Sequence, residues 1–201
     1  MSRQAVAKTY KLYLGGAFVR SESGRTDPLG GVNVPRGSRK DIRDAVKAAR
    51  AAQAGWAKKT AYNRGQVLYR FAEALESRSD EFARAAVAQQ DTSLANARAE
   101  IGAAVDTLVH YAGWTDKLAA VMGGINPVAL PYLSFSVPEP TGVVAVLAPD
   151  EPDLLGLVRE VAPALAADTV KRVSRPAPHT DSLTRLEPLM ELKTAWHPVG
   201  T

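Results

Sequence analysis

Proton chemistry near neutral pH belongs first to histidine, and the chain has three, His110, His179 and His197. They lie far apart, two of them beside prolines, and none stands in an H-x-x-x-H spacing that would put two imidazoles on one helix face around a metal. His110 falls mid-helix beside Tyr111 and reads as a structural residue. There is no cysteine, which excludes disulfides, thiolate metal sites and a thiol nucleophile. No G-x-S-x-G elbow, P-loop or G-x-G-x-x-G is present. What remains is a pair of acids, Asp150-Glu151, directly after an apolar run that ends at Pro149. That is the carboxyl end of a parallel strand, where open α/β sheets bind their ligands. As acid and base the pair has no third partner. Capping of a following helix, by Asp150 and Asp153, is the plainer reading.

These acids are positioned by the stretch Gly142–Ser174. Val143, Val144, Val146 and Leu147 have the pattern of a strand buried on both faces. Leu154, Leu157, Val158, Val161 and Leu165 recur at helical spacing. Thr169–Val173 reads as a second strand, weakened by Lys171 and Arg172. Strand, helix and strand make one right-handed βαβ crossover.

Upstream, residues 1–9 read as a flexible arm. Tyr10–Leu14 and Ala17–Arg20 form two short strands about a Gly15-Gly16 turn, and residues 21–37 read as loop. Ser38 and Asp41 resemble a capping box. The helix after it carries Ile42, Ala45, Val46, Ala49, Ala52 and Trp56 on one stripe. Asn63 is expected to cap a second helix, with Val67, Leu68, Phe71, Ala72 and Leu75 inward. Asp80 is expected to cap a third, burying Phe82, Ala83, Ala86 and Val87. A long helix should run from about Ala95 to Met122, with Ile101, Val105, Leu108, Ala112 and Leu118 buried, and stop at Gly123-Gly124. Leu133–Val137 alternates as a strand, broken by Pro138, Pro140 and Gly142. A second edge strand is expected within Leu189–Trp196. Of the three tryptophans, Trp56 and Trp114 should pack, and Trp196 could meet a partner chain.

In composition this is a globular chain of 201 residues, 46% hydrophobic, with a net charge of +4. The charges are dispersed, with no focused basic stripe for nucleic acid. No apolar run approaches the length of a membrane span. The N-terminus lacks the apolar core of a signal peptide, so the cytoplasm is the expected location.

Several motifs together resemble a known family. KLYLGGAFV, AVKAARAAQAGWA, NRGQVLYRFAEAL, YAGWTDK and EPTGVVAVLAP leading into LLGLVREVAPALAADTV resemble, in order and spacing, the N-terminal part of the aldehyde dehydrogenase superfamily. The tail MELKTAWHPVG is similar to the family's last strand. The resemblance implies an α/β, incomplete Rossmann-like fold with one βαβ crossover, an N-terminal helical region and peripheral oligomerisation-type strands. It also implies residues 10–180 as a partial cofactor-type domain and 181–201 as linker and C-terminal strand. The family reaction is NAD(P)-dependent oxidation of aldehydes to acids.

Departures from the family pattern shape the functional expectation. Active members carry an amide donor for the oxyanion in the segment matching Pro149-Asp150-Glu151-Pro152, and an acid there repels a developing negative charge. Where the family has a cofactor-contacting lysine, this chain reads Val173-Ser174-Arg175. Pro149, Asp150, Arg172 and Arg175 are therefore weak candidates for NAD(P) contact, and no cofactor is expected to bind tightly. Without a thiol the family's covalent route is closed to this polypeptide alone. The expectation is a truncated, non-catalytic subunit that self-associates or joins a full-length aldehyde dehydrogenase. Leu133, Phe135, Val137, Leu192, Thr194 and Trp196 are its oligomerisation residues. The alternative is an NAD(P)-binding component of an aldehyde-oxidising complex whose partner supplies the cysteine.

Overall fold

The computed structural model describes residues 6–29, 31–129, 132–140, 142–147, 153–167 and 190–198. The chain divides into two compact units, Met1–Ala54 and Gly55–Thr201.

The first unit opens with two hairpins. β1 (Leu12–Leu14) pairs with β2 (Ala17–Val19) across Gly15 and Gly16, whose φ values of 59° and 82° suit residues without a Cβ. Residues 21–37 are not simply loop. β3 (Thr26–Leu29) and β4 (Val32–Pro35) form a second antiparallel hairpin, with Gly31 at φ 80° in its turn. Thr26, Val32 and Val34 about the Gly30-Gly31 pair are the sequence signal for this hairpin. Residues 8 and 9 are not loose either: Lys8 O accepts from Asn33 N at 2.8 Å, and Thr9 bridges Asn33.

α1 (Arg39–Ala57) then starts from the expected capping box. Asp41 N donates to Ser38 Oγ at 3.3 Å, and Ser38 N to Asp41 Oδ2 at 2.8 Å. Its expected apolar stripe is not buried. Ile42, Val46 and Ala52 are exposed, while Ala45, Ala49 and Trp56 are half-buried. Periodicity marks a face that can be covered, not one that is.

The second unit is built on α4 (Leu94–Trp114). Against it pack α2 (Ala61–Glu76), α3 (Ser79–Gln89) and α6 (Leu154–Ala166). Leu68, Ile101 and Leu108 are wholly buried at the centre. Alanines 72, 83, 97, 104, 162, 164 and 166 fill the rest, which lets the helix axes come close. At Gly65 the approach leaves no room for a side chain: a Cβ there would meet Thr115 Oγ1 at 2.7 Å and Ala112 O at 3.0 Å.

Several expected boundaries move. Thr60, not Asn63, caps α2, its Oγ1 accepting from Asn63 N at 3.2 Å. Asp80 lies inside the first turn of α3 and pairs with Arg98 at 2.9 Å instead of capping. The long helix breaks after Trp114 and resumes as α5 (Leu118–Met122). Val67, Phe71, Val87 and Leu157 are exposed, because the faces next to α4 are narrower than their apolar stripes. Gly123 ends α5 as expected, donating to Ala119 O at 3.0 Å.

Three antiparallel strands follow the order β5-β6-β7: β5 (Gly124–Asn126), β6 (Tyr132–Pro140) and β7 (Met190–Pro198). β6 runs through Pro138 and Pro140, which do not break it. Successive residues turn their N–H groups to alternate sides. These two prolines share a parity, so their missing donors fall on one side, and the ladder with β7 continues past Pro138 to the pair Pro140–Met190.

From the expected strand Val143–Leu147, Val144 is buried and Val146 forms a single bridge, without a ladder among the described residues. A doubly buried strand needs neighbours on both sides. Its expected neighbour, Thr169–Val173, lies outside the described residues, as does His179.

Candidate functional site

The described chemistry nearest the expected ligand position is at the start of α6. A helix start leaves backbone N–H groups without intrahelical partners. Asp153 occupies the N-cap position, yet its side chain caps nothing, and its Oδ1 is buried without a hydrogen-bond partner in the described structure. The cap comes from another helix. Glu100 of α4 accepts through Oε1 from Leu154 N at 2.8 Å and from Leu155 N at 3.4 Å.

This places two carboxyl groups side by side. Burial pushes the Glu100 carboxyl above its ordinary value of 4.5, and a hydrogen bond with Asp153 pushes it the same way. The N–H groups of Leu154 and Leu155 pull it down, and the Asp153 charge adds a further upward push. Two close carboxyls do not readily both ionise, and it is the Glu100 carboxyl that is held above its ordinary value. A phosphate arriving at this helix start would have to displace Glu100 and face Asp153 as well.

The cofactor candidates Pro149, Asp150, Arg172 and Arg175 lie outside the described residues. Leu133, Phe135 and Val137 do lie on β6. Their register partners on β7 are His197, Ala195 and Lys193. Trp196, Thr194 and Leu192 stand opposite Ser134, Ser136 and Pro138 instead. The two expected sets thus occupy neighbouring strands of one chain, in alternating rows rather than facing each other. The antiparallel register decides this, and the residue types of either strand do not reveal it.

His110 is structural as expected. Its Nε2 accepts from Trp114 Nε1 at 3.1 Å, and its ring meets Tyr111 edge-on at 5.3 Å. Trp56 is half-buried and donates to Leu165 O at 3.3 Å, serving a carbonyl near the end of α6. No group of three His, Asp or Glu among the described residues is arranged to hold a metal. Glu100 was missed in the sequence. The available signal was an acid at i+3 from Ala97 and i−4 from Ala104, on the stripe that α4 buries.

The sequence pattern of the aldehyde dehydrogenase family matches residues 28–192. Aldehyde dehydrogenase family 2 member B4, mitochondrial, of Arabidopsis thaliana is 36% identical over 166 residues, 78% of this chain and 30% of that protein. Hydroxyisobutyraldehyde dehydrogenase of Mycolicibacterium austroafricanum is 34% identical over 94% of this chain and 38% of its own length. Among solved structures, the NAD+ complex of an aldehyde dehydrogenase from Bacillus cereus superposes with a TM-score of 0.75 at 28% identity, covering 81% of this chain and 34% of that one. The chain thus spans about a third of the length of these proteins.

Proposed function

The chain belongs to the aldehyde dehydrogenase family, and we propose that this polypeptide is catalytically silent by itself and serves as a non-catalytic subunit that associates through strand edges. Oxidation by the thiol route attaches the aldehyde to a cysteine before hydride leaves. A chain without cysteine has no atom for that bond.

The observation that carries the association is the position of β7. It is the outer strand of its sheet, nine residues long, and only one of its edges is paired among the described residues. An open edge of that length presents a row of backbone donors and acceptors to another strand. β5 covers only Ser134–Ser136 of β6, so the opposite side of the sheet is also partly open. The partner is a second copy or a full-length relative.

The rival reading, a cofactor-binding component of an aldehyde-oxidising complex, draws support from the Bacillus cereus neighbour solved with NAD+. The described residues at the start of α6 do not fit a pyrophosphate, because carboxyl groups already occupy that end.

Light scattering on the intact chain and on a chain ending at Pro188 tests association. The expected result is a dimer or larger assembly for the first and a smaller species for the second. A compact, well-folded monomer for both refutes it. No NAD(P)H should form from aliphatic or aromatic aldehydes, and calorimetry should give an NAD(P) dissociation constant weaker than about 1 mM, less than roughly 4 kcal/mol of binding. A micromolar constant would favour the rival reading.

A further inference from the structure

The first unit holds an open groove of about 390 Å³ between the segment Thr9–Lys11, the turn after β2 and the start of β3. Three cations line it, Lys11, Arg20 and Arg25, together with Thr9, Tyr10 and Thr26, and no carboxylate does among the described residues. In sequence the three cations are scattered among neutral and acidic residues. The two hairpins bring them to one place.

The nearby acids are engaged elsewhere. Glu22 pairs with Lys40 at 3.2 Å, and Asp27 is held by Arg36. Asp41, behind Ser21, accepts from Ser38 N, the Ser21 hydroxyl and Glu22 N. Among the described residues none of the three groove cations is in an ion pair. Lys8 adds a fourth positive charge close by, 4.7 Å from the centre of the Tyr10 ring.

Like charges gathered in a concave site without a counter-ion focus a positive potential into it. Two planar guanidinium groups match the oxygens of a phosphate, with an ammonium as third contact. Thr9 Oγ1 already accepts from Asn33 Nδ2 at 3.4 Å, which leaves its own hydrogen to donate.

The geometry points to a phosphate-binding site in this groove, for the phosphate group of a small phosphorylated molecule, held by Arg20, Arg25, Lys11 and the Thr9 hydroxyl. It is independent of the family's dehydrogenase chemistry. Its cations are exposed, so binding should weaken steeply with added salt.

The test is titration of the ¹⁵N-labelled full chain with inorganic pyrophosphate at low ionic strength. Amide shifts should concentrate at residues 9–11 and 20–26, and the double variant R20A/R25A should bind at least tenfold more weakly with its melting temperature unchanged. The control K58A/K59A should bind like the parent. The site is refuted if shifts are absent or spread over the surface, if R20A/R25A binds like the parent, or if K58A/K59A weakens binding equally. Tighter binding of a single-stranded oligonucleotide, with shifts reaching beyond the groove, would also refute it.

Discussion

Replacing Glu100 two ways separates its role as a cap from its conflict with Asp153. Glu100→Ala removes the acceptor for Leu154 N at 2.8 Å and for the weaker contact from Leu155 N at 3.4 Å. Losing a side-chain cap costs about 0.5–2 kcal/mol, typically about 1. For a chain of this size that lowers the melting temperature by about 2–4 °C per kcal/mol. Glu100→Gln keeps the acceptor and adds an N–H₂ group that can donate to Asp153 Oδ1, the buried oxygen without a partner. It also removes one of two adjacent negative charges. At neutral pH the glutamine variant should therefore melt at or above the parent, while the alanine variant melts below it. The pH dependence has a definite sign. The folded carboxyl sits above its ordinary value of 4.5. The fold thus retains a proton that the unfolded chain has released, and its stabilising contribution is complete below 4.5 and lost as pH rises through the folded value. Glutamine does not titrate, so its advantage over the parent should grow as pH rises from 4.5 to neutral. Thermal melts of the three proteins across that range decide the matter. If glutamine destabilises as much as alanine at neutral pH, the two carboxyls are not in conflict and the reasoning fails.

Three further outcomes follow from contacts already described. Gly65→Ala forces a Cβ to 2.7 Å from Thr115 Oγ1 and should cost about 1–3 kcal/mol in urea unfolding despite alanine's better helix propensity; adding Thr115→Ala should recover only part, since Ala112 O remains 3.0 Å away. Asp41 is held at about 2, below its ordinary 3.8, chiefly by the Ser38 N–H, against the cost of burial, with the Ser38 hydroxyl, Glu22 N–H and Ser21 hydroxyl assisting. Its stabilising effect is complete above 3.8 and lost as pH falls toward 2, so Asp41→Asn should flatten acid unfolding over that interval, read by tryptophan fluorescence. Thr60→Ala should lower helix stability by about 1 kcal/mol, whereas Asn63→Ala should leave it nearly unchanged, as circular dichroism melts would register.

What could be read from the chain depended on how far apart the interacting groups were. The Ser38–Asp41 box, the Gly15-Gly16 turn and the stop at Gly123 involve neighbours in sequence, and all three stand where local stereochemistry puts them. The mistaken caps are a finer matter of the same kind. Thr60 and Asn63 both suit an N-cap, and only the backbone path, with Thr60 at φ −62° and ψ 154°, selects the first. The family resemblance was legible because it is distributed over many short motifs, and residues 28–192 carry it. The candidate site was not legible, because its partners are separated by more than fifty positions. Leu154 is capped by Glu100, and nothing in the local pattern of either helix names the other. An acid on the buried stripe of α4 says only that some donor must be brought to it, since a carboxyl group is not buried without a partner. The same physics then limits function. Glu100 takes the N–H groups of Leu154 and Leu155, so an incoming anion would have to displace it there. That internal cap argues against a pyrophosphate at this helix start without reference to the missing thiol, so the cofactor and the covalent chemistry can be tested separately.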